Sequence, residues 1–283
     1  MPLAMLLLVL FLHFSSISSE ENDFFTSYFA PSQFAVLPSY KLMFCRIHKV
    51  GTTGLNHLLE ALDTPVNPQK PSWRHFEASD YGLNSSDVSN LIKDPSWYKV
   101  VFYREPLERF LSAYRSKCEE FDRDGVCARV FHNKVPSFAG AIRRIIHHEE
   151  FSFDSHFAPQ VNVCNLKETL PYFTGKFLLE TSTSGDNMRR VLHDAHIEMT
   201  DKINEILNIY YAPIGSHSDG NHNTHSSNTS ALLQYYHHDC FIRLVIHHYQ
   251  SDYILFKIPL PEWAEGALKS VTVEHCKELI KSH

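Results

Sequence analysis

Two stretches of the chain share one succession of apolar and polar positions. Residues 42–45 form an unbroken apolar run, short enough for a buried strand. Leu55, Leu58, Leu59 and Leu62 then recur at the spacing of one helical face. Between them stands the polar turn Arg46-Ile47-His48-Lys49-Val50-Gly51-Thr52-Thr53. Farther on, residues 99–103 are rich in β-branched and aromatic side chains and predict a second strand. Arg104 ends it, and Pro106 suits the first position of a helix whose buried face is Leu107, Phe110, Leu111 and Tyr114. Strand, turn and helix, used twice, predict an α/β fold: a mainly parallel sheet flanked by helices, in a single domain.

The remaining chain is patterned less sharply. Helices are expected over 87–93, 137–148, 187–193 and 202–209, with a short strand over 176–179. Residues 232–248 carry the period of a long final helix, leading into a strand-like 253–258. Residues 20–39 are aromatic, without a clear period, and read as a packed lead-in. Residues 63–96 hold four prolines, and so long a connection inside one domain is usually functional or a lid. It contains Trp73-Arg74-His75-Phe76-Glu77. Residues 216–230 are polar and low in complexity, an exposed loop whose His217, His222 and His225 have no fixed spacing for a metal.

Composition sets the surroundings. With 43% apolar residues in 283, the chain can bury a sizeable core. A net charge of −6 argues against a general nucleic-acid or membrane-surface binder. Residues 2–14 are nearly all apolar, but fall short of the ~20 needed to cross a bilayer. They predict a signal peptide or short anchor over 1–19, with the α/β domain over 20–283 and membrane attachment through the N-terminal segment only. Six cysteines fit an oxidising lumen. Cys118 and Cys127 flank a polar loop, and a bridge between them would be worth about 2–3 kcal/mol. Cys45, inside a strand, reads as a small hydrophobe. Asn84 and Asn228 open glycosylation sequons.

The two turns carry the candidate chemistry. The first-turn N–H groups of a helix lack intrahelical partners and point at any anion placed there. Lys49 adds a point charge, and Thr52 and Thr53 offer hydroxyl donors. The loop is P-loop-like without being a Walker A motif, because its lysine precedes the glycine. At the second strand's end, Arg104 and Ser112 make another anion site; surface ion pairs with Glu105 and Glu108 account for Arg109. Two anion sites side by side suit a nucleotide with phosphates at both ends.

RIHKVGTT with its helix, followed by VVFYREPLERFLSAYR, resembles the two donor-binding motifs of Golgi carbohydrate sulfotransferases. The branch most similar includes the chondroitin 4-sulfotransferases and the HNK-1 sulfotransferase. Residues 156–160 (HFAPQ) with Cys164, then 175–180, then 249–256 (YQSDYILF) extend the resemblance in the right order over about 41–258. His48 stands where that branch usually has proline, and Phe157 where it has tryptophan. The resemblance implies transfer of a sulfuryl group from 3′-phosphoadenosine 5′-phosphosulfate (PAPS) to a hydroxyl of a glycan or proteoglycan, in the Golgi lumen or, after cleavage, outside the cell. By position, Arg46, Lys49, Gly51, Thr52 and Thr53 would hold the 5′-phosphosulfate, and Arg104 and Ser112 the 3′-phosphate. Lys49 would stabilise the leaving phosphate, so no metal is required. His75 is the first candidate for the acceptor base, followed by His156 and Glu77. A catalytically inactive glycan-binding relative and a P-loop kinase-like enzyme are the alternatives.

Overall fold

A computed structural model of the chain describes residues 30–119, 125–132, 135–147, 154–180, 182–211 and 229–281. The signal peptide or anchor expected over 1–19, most of the polar stretch 216–230 and the sequon at Asn228 lie outside the described residues. Four strands, β1 (Phe34–Leu37), β2 (Leu42–Cys45), β3 (Tyr98–Tyr103) and β4 (Gly175–Leu178), form one sheet in that order. β2, β3 and β4 are parallel, with Cys45 opposite Val101 and Tyr103 opposite Leu178. β1 is the antiparallel edge, with Phe34 opposite Cys45. It lies in the stretch expected to be an irregular lead-in; four residues are too few to display a period against flanking prolines.

Helices α1 (Thr52–Leu62), α2 (Ser85–Lys93), α3 (Pro106–Tyr114), α4 (Val126–Phe131), α5 (Phe138–His147), α6 (Leu166–Thr169), α7 (Ser184–Asp194) and α8 (Asp201–Tyr210) follow in chain order. The last five are α9 (Thr229–Tyr235), α10 (Asp239–His248), α11 (Gln250–Phe256), α12 (Glu262–Ser270) and α13 (Val273–Lys281). One core cluster joins the sheet to α1, α2, α7 and α8. A second, built mainly from helices, gathers α3, α4, α5, α10, α12 and α13. Leu55, Leu58 and Leu59 turn from α1 into the first core, each worth about 1.5–3 kcal/mol on burial. α1 sits close to α8: a Cβ on Gly54 would come within 2.7 Å of the Tyr210 side chain.

The parallel sheet flanked by helices is as expected; several elements are not. The long helix expected over 232–248 is two, α9 and α10, because His238 caps the second by accepting from the Cys240 N–H at 3.1 Å. Residues 253–256 are helical rather than strand. In a helix Asp252, Tyr253 and Phe256 share one side, and there Asp252 accepts backbone N–H bonds, Tyr253 reaches Glu105, and Phe256 stacks on Tyr103 at 4.4 Å. A strand would send Tyr253 to the opposite face. Cys118 and Cys127 are bridged as expected. Cys45 is not a lone hydrophobe but is bridged to Cys164, and Cys240 is bridged to Cys276.

Candidate active site

β2 delivers the chain into the turn 46–51, where Lys49 takes φ 69° and Gly51, the N-cap of α1, takes φ 80°. Glycine adopts that left-handed backbone freely; a lysine there is strained by about 1–2 kcal/mol. A cleft of about 1100 Å³ opens at this turn. Arg46, Lys49, Thr52 and Thr53 line it from the turn and the start of α1, while Lys117, Arg129 and His132 line it from the segment pinned by the Cys118–Cys127 bridge. The first-turn amides of α1 thus begin beside a cationic cleft, an arrangement suited to an anion.

The turn is fastened from several sides. Cys45, directly before it, is bridged to Cys164. Arg109 is fully buried and donates from Nε to His48 O at 3.1 Å, from Nη1 to Ala158 O at 2.8 Å and from Nη2 to Ser155 O at 2.8 Å. This overturns the surface-ion-pair reading of Arg109. It is Arg104 that pairs with Glu108, at 3.3 Å, while its Nη1 donates to Lys49 O at 3.3 Å. The backbone of Arg104 is held in turn by the Gln160 amide, which accepts from Arg104 N and donates to Arg104 O, both at 2.9 Å. Buried Asp252 accepts from Gln160 N at 2.9 Å and Val161 N at 3.0 Å.

Of the three histidines on the cleft, two stand together. His48 and His156 stack with ring centroids 4.2 Å apart. Burial first, then neighbouring His156 and Arg109, push His48 down to about 3, so it is neutral at any physiological pH. Burial also lowers His156, against the raising effect of Asp154, whose Oδ1 lies 3.2 Å from His156 Nδ1. Burial pulls the Asp154 carboxyl up, but hydrogen bonds from His156 and Arg129 prevail and hold it well below the usual carboxylate range. The result is a neutral imidazole fixed by an ionised carboxylate.

The sequence-derived site residues are therefore only partly gathered. Arg46, Lys49, Thr52 and Thr53 meet along the cleft, with Gly51 setting the helix start. Burial pushes the Arg46 guanidinium down to about 10, still charged; it donates to the carbonyls of Trp73, at 3.1 Å, and His75. Its Nε is buried without a hydrogen-bond partner. Arg104 reaches the site through Lys49's carbonyl and is not a lining residue; Ser112, half-buried one turn before the lining Ser116, is not one either. His75 is turned inward. Its Nδ1 lies 2.9 Å from Glu60 Oε1 and its Nε2 2.7 Å from Lys70 O, both acceptor oxygens. Both ring nitrogens are thus engaged by protein oxygens, and the ring does not line the cleft. The anchoring by Arg109, Gln160 and Asp252 was not legible in the sequence, although all three lie in the motifs quoted above. Among the described residues, no three His, Cys, Asp or Glu side chains are grouped to hold a metal ion, and no helix is long and apolar enough to cross a membrane.

The profile of the family described as the Sulfotransferase family matches residues 32–259. No curated protein and no solved structure matches the chain.

Proposed function

This chain belongs to the sulfotransferase family, and from that premise we propose that it moves a sulfuryl group from PAPS to a glycan hydroxyl in the secretory pathway. The supporting observation is the bond from Arg104 to the Lys49 carbonyl, which joins the two candidate anion sites. The 5′-phosphosulfate would lie against Lys49, Thr52, Thr53 and the first-turn amides of α1. Arg46 Nε is a further donor in need of an acceptor. The 3′-phosphate would lie toward Arg104 and Ser112.

In the transfer, the acceptor oxygen attacks sulfur as the bond from sulfur to the phosphate oxygen breaks. The electron pair leaves on the phosphate, where the Lys49 ammonium stabilises it. The hydroxyl proton needs a neutral base on the cleft. His156 fits better than His75, being lowered in pKa, oriented by Asp154 at Nδ1 and exposed to the cleft that His75 does not line. Glu77 lines the cleft, but its carboxyl is held low, against burial, by bonds from Arg74 and Lys70. Three disulfides support assembly in an oxidising compartment such as the Golgi lumen. Incubation of the purified protein with radiolabelled PAPS and a panel of glycans tests the reading. Label in a glycan is expected, and its absence from every acceptor would refute it.

A further inference from the structure

We propose that Trp73 is a stacking platform for a pyranose ring of the acceptor; the proposal rests on the glycan-transfer reading above. Seven large apolar side chains are exposed among the described residues, and of these Trp73 alone lines the cleft. It is 56% exposed, although an indole is the apolar group that gains most from cover. Its position is nevertheless fixed. It sits in the one-turn 3-10 helix Ser72–Arg74, and its carbonyl accepts from Arg46 Nη1 at 3.1 Å. The Arg74 guanidinium lies 5.8 Å from the ring centroid and is itself locked to Glu77 by bonds of 2.9 and 3.0 Å. An ordered, backed and uncovered aromatic beside a polar cleft is built for a ligand that is apolar on its face and polar at its edge.

A pyranose is such a ligand. Its axial C–H groups form an apolar face and its hydroxyls a polar rim, and Asn56, Thr53 and Glu77 on the same cleft offer partners for that rim. The adenine of the donor is also flat, but the nucleoside end is assigned toward Arg104. Trp73 is tied instead to Arg46, at the sulfuryl end, where an acceptor has to enter.

The test compares wild type with Trp73→Ala and Trp73→Tyr. Binding is measured with adenosine 3′,5′-bisphosphate alone, and with oligosaccharides in its presence, both neutral N-acetyllactosamine and alternating uronic acid–hexosamine chains. Trp73→Ala is expected to weaken glycan binding, and to raise the acceptor KM, on the order of tenfold. Nucleotide affinity stays within about twofold, because the carbonyl that holds Arg46 survives the substitution. Trp73→Tyr keeps most of the binding, since a smaller aromatic still stacks. Unchanged glycan affinity in a Trp73→Ala protein that still transfers sulfate would overturn the platform and leave the transferase reading intact. Equal loss of nucleotide and glycan binding would overturn it in favour of adenine stacking. Glycan binding through Trp73 without any transfer would uphold the platform and sink the transferase reading. Failure of wild type to bind any of the glycans would sink both.

Discussion

Arg109 Nε donates to the carbonyl oxygen of His48 at 3.1 Å, so the turn that presents Lys49 hangs from a guanidinium shielded entirely from solvent. Two further carbonyls, of Ala158 and Ser155, share the same group. Arg109→Leu strands these acceptors and is expected to cost about 3–5 kcal/mol of stability. Arg109→Lys recovers little, because one ammonium cannot copy a planar fork reaching three directions. Urea midpoints of the three proteins decide the matter; a lysine variant as stable as wild type would contradict the geometry.

Lys49→Ala is expected to slow transfer by about 10²–10³-fold while weakening adenosine 3′,5′-bisphosphate far less, since the ammonium counts most when charge develops on the leaving phosphate. Lys49→Gly is the backbone control, because glycine relieves the strain at φ 69°. Arg104→Ala instead raises the donor KM, about tenfold for one charged hydrogen-bonding group lost. Steady-state kinetics with each variant separate the two roles, and an unchanged donor KM in Arg104→Ala would count against its assignment.

The bridges should differ in value. Cys45 and Cys164 close a separation of 119 residues, and Cys118 and Cys127 one of 9. On chain entropy alone the first is worth about 4–5 kcal/mol and the second about 2–3 kcal/mol. Replacing each pair by serine and comparing denaturation midpoints checks the order. Loss of the 45–164 bridge should also weaken nucleotide binding, because it is joined directly to the residue before Arg46.

Glu105 gives a pH dependence of definite sign. Burial raises its carboxyl to about 7, against hydrogen bonds from Tyr253 and the Glu108 N–H. An acid raised in the folded state holds its proton there after the unfolded chain has released it. Folding stability is therefore full below about 4.5 and falls as pH rises through about 7. The whole loss is on the order of 3 kcal/mol. Urea unfolding at pH 5 and pH 8 should show a larger drop for wild type than for Glu105→Gln; equal drops would remove Glu105 from the account.

How the turn is anchored could be read only in part from the chain. Leu42 to Cys45 and the leucines after Thr53 announced β2 and α1 because both periods are local. The same holds for β3 and α3, where Pro106 marks the helix start. Residues 253–256 misled because their apolar letters suit a strand as well as a helix, and the choice fell to contacts with Glu105, Tyr103 and Gln160, distant in sequence. His75 looked like a free base only until Glu60 and the Lys70 carbonyl came against it.

By itself, then, the sequence determined the strand–turn–helix pairs, the cations and hydroxyls of the turn, and the Cys118–Cys127 closure. Each depends on neighbours within a few residues. Only the tertiary structure decided that Arg109 is buried beneath the turn, that Arg104 meets Lys49's carbonyl, and that His156 rather than His75 faces the cleft. Those facts depend on which backbone acceptors and carboxylates meet a side chain across long loops, and no local period encodes that.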